Sequence, residues 1–302
     1  MLCPPALLPG ARVAVIAPSG PFDKERVRAG IAWLEERYDV RRSPDLFDRD
    51  QGFLAGSDEA RRSELQEALD DPTLSAIVAA RGGYGVTRLL GALEWTRFVA
   101  APRWIVGFSD VTALHVQAAR RGIASLHAMN VSSLGDADAQ TRAEWLFALE
   151  NPAALRQHDD LRTLRPGEAS GPLFGGNLTL LFAEAASGRL ALPDGCILVL
   201  EDVTETSYRV DRMLTALGDG GYLARASAIV LGDFTDCSPG KHGVLVEAVL
   251  EERLAGLGIP VVSGLPVGHG ARNVPLHLGF HAHLNAQQDG AAQLVIDASA
   301  GP

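Results

Sequence analysis

Residues 75–128 read SAIVAARGGYGVTRLLGALEWTRFVAAPRWIVGFSDVTALHVQAARRGIASLHA. Three short apolar runs, 75–80, 104–108 and 123–128, are too short for helices and rich in strand-forming residues. Residues 110–122 have helical spacing and stop at Gly122, a residue that ends helices well. Strand, glycine turn, helix and strand in alternation is the pattern of βαβ units, which build a parallel sheet. Upstream the same grammar continues. RVAVIAPSG (12–20) is a strand running into a loop. Residues 23–38 place Val27, Ile31 and Leu34 on one helical face behind a capping Asp23, and residues 57–71 form a second helix capped by Ser57, with Leu65 and Leu69 on one side. In such α/β sheets ligands lie beyond the carboxyl ends of the strands. APSG (17–20), RGGYG (81–85) and GFSD (107–110) all fall at such ends and are expected to face one crevice.

The texture changes at residues 150–170, which are polar and lack clear periodicity. The expected division is an N-terminal domain over 1–155, a linker over 156–169 and a C-terminal domain over 170–302. In the second domain, 175–188 reads as a helix after a glycine turn, 196–203 as a strand, 208–221 as a helix and 226–234 as a strand. A helix at 243–258, a strand leading to a turn at 259–270 and a terminal hairpin at 277–296 complete it.

Bulk properties limit the function. The chain has 302 residues, 47% of them apolar and 21% charged, enough for a substantial core in two domains or one large one. A net charge of -10 argues against a nucleic acid partner, since phosphate backbones would be repelled. Cys3, Cys196 and Cys237 are sparse and form no CxxC pair, which fits a reducing compartment better than a disulfide framework. The first residues lack a basic stretch followed by a long apolar core, and no apolar run approaches 18 residues, so neither export nor membrane insertion is expected. The expectation is a cytoplasmic protein.

Ser109 sits between a strand and a helix, and two readings compete. It can cap the helix. It can also be a nucleophile, provided a base removes its proton, a third group orients that base, and backbone N–H groups at the helix start face the developing oxyanion. The GxSxG elbow of α/β-hydrolases is absent, because position 111 is Val. RGGYG carries neither GK[ST] nor a full GxGxxG, which leaves a structural turn or a close backbone approach to a ligand. Glu201 and Asp202 end an apolar strand and read either as a solvated loop pair or as a carboxylate orienting a histidine. His269, between two glycines, is either an ordinary loop histidine or a site residue. His281 and His283 share a strand face near His277, but no Cys or acidic partner lies close in sequence, so a surface strand is preferred to a metal site.

ARGGYGVTRLL, GFSD, GGNLTLL, LEDVTETSYRVDRML and PVGHG occur in order and at the spacing of the LD-carboxypeptidases, the muramoyltetrapeptide carboxypeptidase family of serine peptidases. The chain resembles that family from about Arg12 to about Asn285. The resemblance implies an α/β protein of two domains: a Rossmann-like or flavodoxin-like N-terminal domain with a parallel sheet, and a smaller, β-rich C-terminal domain. It places the nucleophile on Ser109, the orienting carboxylate on Glu201 and the base on His269, in a cleft between the domains. The backbone of Asp110 and of Gly82 and Gly83 is the candidate oxyanion hole. The implied substrate is a cytoplasmic murein tetrapeptide that loses its terminal D-Ala during peptidoglycan recycling. No cofactor and no metal are implied, and a homodimer is. An exopeptidase must also bind a free carboxylate, for which Arg81, Arg209 and Arg272 are candidates, each equally readable as a structural ion pair. Asn177 either contacts substrate or starts a helix. Relatives with the same triad that cleave peptidyl or aminoacyl nucleotide antibiotics are the rival within the superfamily. They would be expected to carry an aromatic-bearing loop for the nucleobase, and the short stretch from Glu201 to Tyr208 shows no such insertion. A non-catalytic two-domain binding protein is the rival from another class.

Overall fold

A strand covered on both faces is apolar throughout, whereas a strand covered on one face alternates. The computed structural model describes residues 1–288 and 290–298. They fall into two units, Met1–Pro152 with Val274–His277, and Ala153–Asn273 with the chain from Leu278 onward.

The first unit runs β1 (Arg12–Ile16), α1 (Lys24–Glu35), β2 (Asp39–Arg41), α2 (Asp58–Asp70), β3 (Ala76–Ala79), α3 (Thr96–Ala100), β4 (Trp104–Gly107), α4 (Thr112–Ala119), β5 (Ser125–His127), α5 (Val131–Asp136) and α6 (Ala139–Glu150). β3, β4 and β5 are buried at every residue. The sheet order is β2-β1-β3-β4-β5, with the ladders β1–β2, β1–β3, β3–β4 and β4–β5 all parallel. That is the flavodoxin-like order, and its switch point lies between β1 and β3. Asp23 caps α1 by accepting from the N–H groups of Glu25 and Arg26, and Ser57 caps α2 by accepting from Ala60, as the sequence pattern predicts. α4 is buried along almost its whole length, Thr112 to Ala118, so it is an interior helix and not an amphipathic one.

The second unit runs β6 (Arg156–Arg165), β7 (Gly167–Asn177), α7 (Leu178–Ala186), β8 (Cys196–Val203), α8 (Ser207–Asp219), β9 (Ala226–Thr235), α9 (Val246–Ala255) and β10 (Val261–Ser263). After β11 (Leu276–Leu278) it closes with β12 (His281–Ala286) and β13 (Ala291–Asp297). Seven of these strands form a closed barrel in the order β10-β6-β13-β12-β7-β8-β9. β7, β8, β9 and β10 run parallel to their neighbours in that series, and the remaining ladders are antiparallel.

Three expectations are corrected. Residues 156–169 are no linker: they form β6 and the start of β7, and their polar character reflects a strand in which only Leu161 is buried. Gly175 and Gly176 are not a turn before a helix but the last part of β7. A side chain at Gly175 would run into the Val199 carbonyl of β8, so glycine lets the two strands close up. The terminal hairpin begins at His281, not at residue 277. The fully buried Leu276, His277 and Leu278 form β11, which lies beside β5 at the edge of the six-stranded sheet.

Candidate functional site

In the first unit the three expected loops follow β1, β3 and β4. Phe108 is extended, and Ser109 then takes φ 63°, one of four described non-glycine residues with positive φ. A β-carbon in that region costs on the order of 1–3 kcal/mol and marks a place where the surroundings impose the backbone. Neither Phe108 nor Val111, the residues at the N-cap positions of the two helical turns that follow, makes a side-chain cap bond. Ser109 is therefore the bend itself, on a sharp strand-to-helix turn, and not a helix cap. The sequence left that choice open.

RGGYG resolves towards close approach, with protein atoms as the near neighbours. A β-carbon at Gly82 would stand 2.7 Å from Ser109 Cβ and 2.9 Å from its Oγ. The Gly82 carbonyl accepts from the Gly20 N–H at 3.1 Å, which joins RGGYG to APSG. Among the described residues, the N–H groups of Gly82, Gly83 and Asp110 make none of the turn, loop or cap hydrogen bonds. The Asp110 side chain is fully buried, and Oδ2 accepts from the Val86 N–H at 2.9 Å. Burial pushes its carboxyl above the usual range, against the Val86 bond and the Arg61 charge, which pull it down. Arg81 is exposed and donates to the Pro21 carbonyl.

In the second unit, the adjacent carboxylates of β8 do different work. Glu201 is fully buried, and its Oε2 lies 2.8 Å from His269 Nδ1. A carboxylate here accepts, so Nδ1 carries the proton and Nε2 is the basic nitrogen of the neutral ring. Burial raises the Glu201 pKa, and the His269 contact opposes the rise. Asp202 instead anchors the start of α7, accepting from Asn177 Nδ2 at 3.0 Å, the Thr179 N–H at 2.9 Å and the Thr179 hydroxyl at 2.8 Å. Asn177 starts that helix, its Oδ1 accepting from the Leu180 N–H at 3.2 Å. Arg209, exposed on α8, faces Glu205 at 3.5 Å, and Arg272 lies exposed three residues beyond His269.

The glycines around His269 have specific causes. At Gly268, φ is 126° and a β-carbon would lie 2.7 Å from Glu201 Oε2. At Gly270 one would run into the Asp233 carboxylate. Asn273 Oδ1 accepts from the Gly268 N–H at 3.2 Å. Sequence reasoning missed Asp233 and Asn273. Asp233 is hidden inside the strand SAIVLGDF, and only its place directly after a strand glycine hinted at a purpose.

The histidine cluster separates. His277 is buried in β11, its Nε2 bonded to the Ala148 carbonyl at 3.0 Å. His281 and His283 stack edge to face at 4.8 Å on β12, with His283 Nδ1 2.6 Å from the Ser170 hydroxyl. Among the described residues no group of three or more His, Cys, Asp or Glu side chains is arranged to hold a metal.

Residues 13–128 match the LD-carboxypeptidase N-terminal domain, and residues 170–284 match the LD-carboxypeptidase C-terminal domain. A putative carboxypeptidase of Streptomyces coelicolor is 41% identical over 296 residues, covering 94% of this chain and 93% of the relative. The murein tetrapeptide carboxypeptidase of Pseudomonas aeruginosa is 35% identical, covering 87% of this chain and 89% of its own. The crystal structure of muramoyltetrapeptide carboxypeptidase from Oxalobacter formigenes superposes with a TM-score of 0.83 at 32% identity, covering 95% of this chain and 98% of that one. The strained serine after β4 and the carboxylate-bound histidine of the barrel thus sit in a chain similar to carboxypeptidases over nearly its full length, and the chain belongs to the LD-carboxypeptidase family of serine-type hydrolases.

Proposed function

We propose that the protein removes the terminal D-alanine from murein tetrapeptides, with Ser109 as nucleophile, His269 as general base and Glu201 as the carboxylate that orients it. The observation that carries this reading is the 2.8 Å bond between Glu201 Oε2 and His269 Nδ1, which commits Nδ1 as donor and makes Nε2 the proton acceptor. The substrate class rests on the murein and muramoyl tetrapeptide carboxypeptidases to which the chain is similar.

His269 takes the proton of Ser109 as the hydroxyl oxygen attacks the carbonyl of the penultimate residue, an L-centre. Glu201 holds the imidazole and stabilises its cation. The oxyanion accepts hydrogen bonds from the Asp110 N–H and the Gly82–Gly83 backbone, each worth roughly 3 kcal/mol of transition-state stabilisation. His269 then protonates the departing D-Ala amine, and water hydrolyses the acyl-enzyme. Base catalysis supplies about 10²–10⁴-fold. One of Arg81, Arg209 and Arg272 pairs with the terminal carboxylate. Comparing Arg→Met variants on free and amidated peptides identifies it.

The setting we assign is peptidoglycan recycling in the cytoplasm, where Cys3, Cys196 and Cys237 remain free thiols, with the protein acting as a homodimer. Only three residues, Thr204–Thr206, connect β8 to α8, which favours a peptide over a nucleotide-bearing substrate. Mass spectrometry of a murein tetrapeptide after incubation tests the reading directly. Loss of one alanine by the wild type and none by Ser109→Ala is expected. A Ser109→Ala protein with wild-type turnover would overturn the assignment, and preferential cleavage of an aminoacyl nucleotide would overturn the substrate. Light scattering on a sizing column reports the oligomeric state.

A further inference from the structure

Asp110 follows the proposed nucleophile, and only its backbone N–H has a part in the scheme above. Its side chain is nevertheless 0% exposed, an expensive place for a carboxylate. A residue at the start of a helix ordinarily accepts from N–H groups of its own first turn. Asp110 reaches elsewhere: Oδ2 accepts from Val86, 24 residues away at the end of RGGYG, at 2.9 Å. Its other oxygen, Oδ1, is buried without a hydrogen-bond partner among the described residues, as is the hydroxyl of Ser19 in the loop after β1. Beneath these loops lies a second fully buried charge. Arg61 of α2 donates to the Pro18 carbonyl and to the Gly56 carbonyl, the latter at 3.3 Å, and its guanidinium fills the space a side chain at Gly85 would need. The Asp110 carboxylate therefore joins the loop after β3 to the one after β4, while Arg61 and the Gly20–Gly82 bond hold the loop after β1 to them.

We infer that the Asp110 carboxylate is a positioning group: it ties the Gly85–Val86 end of RGGYG to the Ser109 turn and so holds the Gly82–Gly83 N–H groups in register with the nucleophile. The inference rests on the reading of Ser109 as nucleophile. Its physical content is that Asp110 acts on the transition state and not on the bound substrate, because oxyanion donors gain their strength only when charge develops. Replacing it should disturb catalysis far more than ground-state binding.

The experiment uses the full chain and three variants: Asp110→Ala, Asp110→Asn and Ser109→Ala. Turnover of a murein tetrapeptide, affinity for the tripeptide product and affinity for a tripeptide boronate, which forms a tetrahedral adduct on serine, are measured for each. Asp110→Ala should lose about 10²-fold in kcat and a similar factor in boronate affinity. KM and tripeptide affinity should stay within about threefold, a split that a purely structural role would not produce. Asp110→Asn keeps one oxygen able to accept from Val86 and should recover part of the loss. Should Asp110→Ala fail to fold, Asp110→Asn decides, with about tenfold lost in kcat and tripeptide affinity retained. An Asp110→Asn kcat within about twofold of wild type, or tripeptide and boronate affinities that fall together, overturns the inference. Ser109→Ala separates the two levels: if it is inert while the Asp110 variants turn over normally, the nucleophile stands and the positioning role falls. If it turns over normally, both fall.

Discussion

Gly268 and Glu201 compete for the same space. A β-carbon on Gly268 would stand 2.7 Å from Glu201 Oε2 and 3.0 Å from Glu201 Cβ, so the loop carrying His269 rests directly on the buried carboxylate. Gly268→Ala must push one of them away. Because a displacement of about 1 Å at a reacting group can cost 10²-fold, kcat on a murein tetrapeptide should fall by about that factor. Steady-state kinetics on the purified variant check this, and an unchanged kcat would show that the pair tolerates movement.

Glu201→Gln tests the same bond chemically. A glutamine can turn its amide N–H towards Nδ1, which would move the imidazole proton to Nε2 and abolish its basicity. The expected loss in kcat is about 10³–10⁴-fold. Since a buried charge is removed, thermal stability should hold or rise. A pH–rate profile and a melting curve on one preparation are sufficient.

In the first unit, Gly82→Ala is the cleanest probe of the serine turn. The nearest atoms to the added methyl are Ser109 Cβ and Oγ, with the Phe108 carbonyl next at 3.4 Å. The variant should fold with a melting temperature close to wild type while losing at least about tenfold in kcat/KM. Equal losses of stability and activity would contradict the picture of a contact centred on the Ser109 side chain.

His115 gives a stability prediction independent of turnover. It is fully buried in α4, and its Nε2–H donates to the Gly107 carbonyl at 2.9 Å. Burial pushes its pKa down from 6.5 to about 4. Between those values the unfolded chain holds the extra proton, so stability is fully present above the unfolded value and falls as pH drops from 6.5 towards 4. The total loss is about 3 kcal/mol. Urea midpoints at several pH values should show this slope in the wild type and a shallower one in His115→Gln. Identical slopes would assign the acid sensitivity to other groups.

The three loops of the first unit were legible because each joins a saturated apolar run to glycine, proline or serine, residues that mark the end of a buried strand. The barrel was harder to read. β6 buries only Leu161, so its polarity resembled a linker, and Gly175 and Gly176 resembled a turn although they serve strand proximity. Roles that depend on a partner distant in sequence left the weakest trace. Asp233 beside Gly270, Asn273 beneath Gly268 and the Asp110 carboxylate on Val86 are each set by a fold-level neighbour that no local pattern encodes. Ser109 itself was ambiguous until its backbone angle separated a bend from a cap.

The strand β11 has a consequence for synthesis. Residues 1–152 emerge from a ribosome long before Leu276–Leu278, yet those three residues cover the outer edge of β5. Until they arrive, the nascent sheet carries an unpaired edge, a surface prone to pairing with other chains. All of β6 to β10 must be translated in that interval. A fragment cut at residue 152 would keep that open edge permanently. A version of the first unit meant to stand alone would need the 274–278 segment grafted back, in the way a missing strand is donated to an incomplete sheet.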